Sequence, residues 1–295
     1  VRELMNTHEV AEYLRIKERK VYDLVQNRRI PCTRLTGKWL FPKTLIDLWV
    51  IRNTEFKADL ATAVLAPQVI AGSHDPLLEW VVRESGCEFA LLLDGSLDGI
   101  QRLAKRRAMA CGVHVIEPEQ GTYNIRLVEQ VLPGAEVVVI EWAQREQGFI
   151  VAPGNPKGVR GVADLQKPAL RFIDRQQAAG SHLLLAYLLH RQGMSRADLN
   201  VIEVSARSEA DVAMAVLDSK ADVGLGIAAA ARQFRLDFVP LHRERYDLVV
   251  GRRDYFEPPF QTLLAFAHTA RFAERAAELT GYAISSLGRV VYNAP

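Results

Sequence analysis

Phe172–Arg191 reads FIDRQQAAGSHLLLAYLLHR. An apolar, strand-like start runs into the polar loop Asp174-Arg175-Gln176-Gln177, and Ala178-Ala179-Gly180 then leads to Ser181. From Ser181 a helix begins, with Leu184, Leu185, Leu188 and Leu189 at helical spacing. A strand feeding a loop that ends in Gly-Ser at a helix start leaves backbone N–H groups pointing outward, and the helix dipole adds partial positive charge there. Taken alone, Ser181 can be an ordinary helix N-cap. The same strand–loop–serine–helix construction recurs at Ser73 and Ser96, which makes an anion site the reading to test.

Working outward, residues from Pro67 alternate strand and helix, the mark of an α/β fold with largely parallel sheets. Val69–Gly72 is a strand ending in Ser73-His74-Asp75-Pro76 before a helix over Leu77–Glu84. Phe89–Leu93 ends in Asp94-Gly95-Ser96 before a helix over Leu97–Arg107. Val113–Ile116 and Val137–Glu141 are further strands, with Gly121-Thr122-Tyr123-Asn124 and a helix from about Ile125 between them. A second set follows Gln147–Ala152: strands at Leu170–Ile173, Val201–Val204 and Asp222–Gly226, with helices at Ser181 and over Glu209–Lys220. Phe238–Leu241 and Arg245–Val250 are strand-like again, and the last forty residues read as helical. Two α/β lobes joined by two extended crossings enclose a cleft, where small ligands bind at strand C-terminal ends. We therefore expect a ligand-binding domain over 67–295, with lobe 1 at about 67–146 and 243–295 and lobe 2 at about 147–242.

Residues 6–51 have a different character. Thr7 is placed to cap a helix carrying Val10, Ala11 and Leu14, and a second helix runs from about Glu18 to Asn27 with Val21, Leu24 and Val25 inward. Two short helices joined by a tight turn form the helix-turn-helix pattern. Strand-like Ile30–Leu35, Thr36-Gly37 and Lys38–Phe41 form a hairpin, and Pro42 opens a closing helix over Leu45–Val50. Residues 1–57 carry 12 Lys/Arg against 7 Asp/Glu, a net +5, whereas the whole chain is only +2, so the remainder is −3. A basic module on a mildly acidic body points to nucleic acid. Residues 53–66 are a linker in which Phe56, Leu60 and Val64 recur every four residues.

The order helix, helix, hairpin with GKWLFP, helix resembles the excisionase/MerR-like winged helix-turn-helix family over most of residues 4–51. That resemblance implies a DNA-binding domain over 1–52 with Lys17, Arg19, Lys20 and Tyr22 facing operator DNA, Arg34 and Lys38 on phosphate, and a homodimer on a two-fold site. GSHDPLLEW, DGSLDGI, GTYNI, QGFIVAPGNPKG, FIDRQQAAGSH, ADVGLGIAAAAR and ERYDLVV resemble in turn the periplasmic-binding-protein-like domain of molybdate-binding type found in cytoplasmic regulators. This second resemblance covers about 67–285. It implies a bilobed type II fold and an oxyanion effector, molybdate or tungstate, held by Ser73 and Ser96 from one lobe and Ser181 from the other. Tyr246 would be a further donor, with Tyr123, Arg175 and Gln177 as additional contributors. Neutral donors suit such an ion because a fully deprotonated tetrahedral oxyanion offers acceptors and no protons. His182 stands where relatives often carry Arg, which leaves the ligand's identity open.

Other classes find less support. Cys32, Cys87 and Cys111 are odd in number and far apart, as free thiols in a reducing compartment are. No run approaches the ~18 apolar residues that span a bilayer, and charges throughout the first twenty residues argue against a secretory signal, so we expect a cytoplasmic protein with no membrane partner. No metal-ligand spacing is present and no cofactor is expected. Gly224-Leu-Gly226-Ile-Ala-Ala229 fits a nucleotide-loop pattern, but it falls late in the chain and reads as a tight turn lining the cleft. Two alternatives stand beside the oxyanion sensor. One is the same fold sensing a small organic anion or molybdenum-cofactor precursor through His182 and Arg175. The other is an enzyme of cofactor assembly, for which the sequence offers no coherent nucleophile and base, since Ser73-His74-Asp75 are too close in the chain to align.

Overall fold

The structure, a computed structural model, describes residues 4–35, 37–53, 66–119 and 121–294. The chain divides into two compact units, Val1–Leu65 and Ala66–Pro295. The helical repeat expected around Phe56, Leu60 and Val64 lies outside the described residues.

In the first unit, β1 (Leu4–Met5) leads to α1 (Thr7–Tyr13), α2 (Glu18–Gln26), β2 (Thr33–Leu35), β3 (Lys38–Pro42) and α3 (Lys43–Arg52). The three strands form an antiparallel sheet in the order β1-β3-β2. Asn6, not Thr7, caps α1. Its side chain accepts from Glu9 N–H at 3.0 Å and Glu9 returns a bond to Asn6 N–H, a capping box. The periodic apolar positions Val10, Ala11, Val21 and Val25 bury against Met5, Ile30, Phe41 and Ile46, so helix pair and wing share one core. Trp49 on α3 donates to the Arg29 carbonyl at 2.6 Å, fixing the closing helix to the segment after α2.

The second unit begins with β4 (Val69–Gly72), α4 (Pro76–Glu84), β5 (Ala90–Leu92), α5 (Ser96–Ala104), β6 (Ala110–Val113), β7 (Ile116–Glu117), β8 (Thr122–Tyr123) and α6 (Ile125–Val131). β9 (Val137–Val151) carries the chain across to β10 (Arg171–Ile173), α7 (Gly180–His190), β11 (Asn200–Val201), α8 (Glu209–Leu217), β12 (Val223–Ile227) and α9 (Ala228–Gln233). β13 (Asp237–Gly251) returns it to α10 (Pro258–Ala267), α11 (Ala270–Leu279), β14 (Tyr282–Ala283) and β15 (Val290–Asn293). The helical reading of the last forty residues therefore holds only to Leu279. The final strands instead add to β9 as antiparallel partners.

Strand order β11-β10-β12-β9-β13-β6-β4-β5 explains the two lobes. β10, β11 and β12 are mutually parallel at one end, and β4, β5 and β6 at the other. β9 and β13, each 15 residues long, run antiparallel through the middle. The sequence shows each as two short apolar runs because charged residues interrupt them: Glu141, Arg145, Glu244 and Asp247 are nevertheless buried. Each lobe has its own apolar packing, with Phe149, Phe172, Leu184, Leu185, Leu188 and Val223 in one and Ala71, Ile100, Cys111, Val113 and Val249 in the other.

Candidate functional site

Two hydroxyls, those of Ser73 and Ser96, meet at His114, and Gly180, the residue before Ser181, packs against the same histidine. β4 ends at Gly72, and Ser73 leaves the sheet. Asp75 caps α4 by accepting from Leu78 N–H at 2.7 Å, with Pro76 as the first helical residue. Ser73 is thereby free of the capping role, and its Oγ lies 2.7 Å from His114 Nε2. Ser96 is the first residue of α5 behind the cap Gly95, and its Oγ accepts from the His114 backbone N–H at 3.2 Å.

The opposite lobe arrives through the loop before α7. Gln176 donates to the Asp94 carbonyl at 2.7 Å, and Leu97 N–H donates to the Ala178 carbonyl at 3.2 Å. Gly95 and Gly180 allow this approach. A Cβ on Gly95, whose φ is +106°, would meet the Ala178 oxygen at 2.7 Å, and one on Gly180 would meet the His114 carbonyl at 2.7 Å and its ring at 2.8 Å. Ser181 follows immediately. Ala179 is the α7 N-cap and makes no side-chain capping bond, so Ser181 is not the cap. Its Oγ is buried, yet finds no hydrogen-bond partner among the described residues.

Behind the hydroxyls lies a buried ion network. Glu244 on β13 reaches His114 Nδ1 with Oε2 at 2.7 Å, while its Oε1 accepts from Arg145 Nε at 2.8 Å, from Arg145 Nη2 and from Gln147 at 3.0 Å. Arg145 Nη1 donates to Asp75 at 3.0 Å, and Asp75 also accepts from Trp142 and Tyr282. Burial opposes the Glu244 charge, but Arg145 foremost, with hydrogen bonds from His114 and Gln147, outweighs it and holds the carboxylate down at about 2. Burial likewise works against the Arg145 charge, and Glu244 with Asp75 raises its pKa well above the ordinary value.

The remaining expected residues have other partners. Tyr246 is fully buried and donates to the Ser73 carbonyl at 2.6 Å, so here its hydroxyl holds Ser73 in place and is not open to a ligand. Tyr123 Oη pairs with His242 Nε2 at 2.6 Å. Arg175 is buried against Glu209 at 2.5 Å and against the Arg207 carbonyl, and Gln177 is exposed to solvent. His182 contacts Asp174 at 3.1 Å, as does Arg196 at 2.7 Å, and both line a cavity of about 280 Å³ with Leu185, Ala186, Leu189 and Met194. Gly224 and Gly226 lie inside β12, pressed against Ile173 and Ile150, so the nucleotide-loop pattern is strand packing.

His114, Glu244 and Arg145 escaped the sequence reading. The rule that selected Ser73 and Ser96 extends to His114, which directly follows β6 at the same sheet edge. The hydroxyl–imidazole–carboxylate order Ser73–His114–Glu244 comes from residues 41 and 130 positions apart, beyond the reach of local spacing.

In the first unit, Arg19, Lys20 and Tyr22 are exposed on α2, and Lys17 precedes it as N-cap. Arg34 and Lys38 are exposed on the hairpin, Arg34 stacking 5.3 Å over Trp39. Among the described residues no His/Cys/Asp/Glu group could hold a metal ion, and no helix is long and apolar enough to cross a membrane.

Comparison with known proteins bears on both units. The model of the PBP superfamily domain matches residues 79–268, and that of a helix-turn-helix domain matches residues 4–54. YvgK of Bacillus subtilis (strain 168), itself uncharacterized, is 24% identical over 298 residues, covering 96% of each protein. The sulfate-binding protein SubI from Mycobacterium tuberculosis H37Rv superposes with a TM-score of 0.51 at 16% identity, over 72% of this chain and 84% of that one. The tungstate ABC transporter structure from Geobacter sulfurreducens gives 0.51 at 13% identity, over 71% and 97%. At these identities the structural likeness speaks to fold alone. With a matched domain spanning well over half its length, behind an excisionase-like helix-turn-helix domain, the chain belongs to the PBP superfamily domain family.

Proposed function

We propose that the protein is a ligand-responsive transcriptional regulator, acting in the cytoplasm as a homodimer, whose second unit senses a small tetrahedral oxyanion, molybdate or tungstate foremost. The observation that carries this reading is Ser181 Oγ: a buried hydroxyl with no partner among the described residues, at the positive end of an 11-residue helix. It sits next to Gly180, which packs on the histidine that binds both Ser73 and Ser96. Relatives of the same fold include proteins described as binding sulfate and as transporting tungstate, which supports the ligand class and leaves the choice within it to experiment. Ser73, Ser96 and Ser181 are the ligand residues proposed here. Arg175 and His182 face Glu209 and Asp174, an arrangement that disfavours the organic-anion reading.

On this reading the anion favours the closed lobes, and operator binding shifts only as far as that preference allows. Calorimetry of the full chain with molybdate, tungstate, sulfate and phosphate tests it, alongside a gel shift on DNA upstream of its own operon. Saturable binding of at least one oxyanion, with a changed operator affinity, is expected. Failure of all four to bind would rule out the oxyanion sensor. The Ser73–His114–Glu244 order favours a hydrolytic alternative, which turnover of an activated ester by wild type but not by Ser73→Ala would establish.

A further inference from the structure

His114 is enclosed on every side, and its surroundings restrict its protonation. Nδ1 faces Glu244 Oε2 at 2.7 Å, and a carboxylate that also accepts from Arg145 and Gln147 has no proton to give, so Nδ1 carries one. Nε2 faces Ser73 Oγ at 2.7 Å, and two arrangements satisfy that contact. In a neutral ring Nε2 accepts the Ser73 proton, which leaves only oxygen lone pairs on Ser73 for the cleft. In a doubly protonated ring Nε2 donates to Ser73 Oγ, and the Ser73 proton is released to point elsewhere. A fully ionised oxyanion needs the second arrangement, because lone pairs facing an anion repel it.

An arriving anion meets charges already in place around the ring. From β9 comes Arg145, from the start of α4 Asp75, and from β13 Glu244, all buried. Together they carry one positive and two negative charges, a net −1 next to the proposed anion site. A bound oxyanion adds further negative charge beside this cluster, and a second proton on His114 offsets part of it. The other groups facing it add no compensating charge. Tyr246 stacks on the ring at 5.9 Å and donates to the Ser73 carbonyl, Tyr282 donates to Asp75, and Gln147 donates to Glu244. Tyr123 is paired with His242, whose burial keeps its pKa low, and Gly180 at the α7 start brings no side-chain charge to the ring.

We infer that His114 is the residue that matches the site to a fully ionised oxyanion, taking up one proton as the anion binds and turning the Ser73 hydroxyl into a donor. This rests on the oxyanion reading above and adds to it a stoichiometry. By linkage, affinity for such an ion falls about tenfold per pH unit wherever the free site is neutral at His114.

Titration calorimetry of the full chain with tungstate, in HEPES and in Tris at pH 8, counts the protons, since the two buffers differ in ionisation enthalpy. About one proton taken up per anion is expected, with Kd rising about tenfold from pH 8 to pH 9. His114→Gln keeps an amide that can reach Ser73 but cannot titrate, so its uptake should fall to zero. If that variant does not fold, ring-nitrogen NMR of the wild type serves instead, with one imidazole passing to the doubly protonated form on adding tungstate. Tungstate binding without proton uptake, undiminished uptake in His114→Gln, or no change at any imidazole would overturn the inference while leaving an oxyanion sensor standing. Absence of binding by tungstate, molybdate, sulfate and phosphate alike would instead remove the reading on which it rests.

Discussion

A buried hydroxyl without a partner costs about 1–3 kcal/mol, and Ser181 at the start of α7 has none among the described residues. Replacing it should therefore act in opposite directions on the two states. Ser181→Ala is expected to leave the ligand-free protein as stable as wild type or more so, while weakening oxyanion binding by about 1 kcal/mol, roughly fivefold. Thermal unfolding without ligand and calorimetry with it read the two effects separately, and an unchanged Kd would remove Ser181 from the ligand set. Ser73 and Ser96 differ because each already has a partner in His114. The sequence could not draw this distinction. All three serines have the same strand–loop–helix context, and only the capping competition at Asp75-Pro76 was visible locally. Two further expected donors show the same limit. Tyr246 and Arg175 carry suitable chemistry, but their partners, the Ser73 carbonyl and Glu209, lie 173 and 34 residues away.

At the level of elements, the start of α7 is a contact surface between lobes as well as a dipole end. Gly180 has no left-handed backbone to protect, and the three atoms nearest to an alanine Cβ there all belong to His114. Gly180→Ala should fold, but its Cβ would sit 2.7 Å from the His114 carbonyl, so the variant should resist closure. Oxyanion affinity is expected to fall at least tenfold, and solution scattering should show less ligand-induced compaction than in wild type. Wild-type affinity in this variant would show that the lobes need not meet here. In the first unit, α2 exposes Arg19 and Lys20 while burying Val21 and Val25. If Lys20 contacts a phosphate, Lys20→Ala should weaken binding to specific and unrelated DNA alike and reduce the salt-dependence slope by about 1. A gel-shift series across salt concentrations checks this, and an unaltered slope would place Lys20 away from the backbone.

For the whole molecule, the sequence by itself determined the class of each unit. Period-3.6 and period-2 patterns with their turn residues are local, and so is the clustering of Lys and Arg in the first 57 residues. That information was enough to read a helix-turn-helix with a wing ahead of a bilobed α/β unit, and to mark the serines at strand ends. Tertiary structure alone decided the rest. It joined four short apolar runs into the crossings β9 and β13, because burying Arg145 becomes tolerable only when Glu244 and Asp75 arrive beside it. It also turned the chain's last strands onto β9. Above all, it brought Ser73, Ser96, Glu244 and Gly180 around His114. A side chain's partners are set by where the sheet places distant strands, and spacing along the chain does not encode that distance.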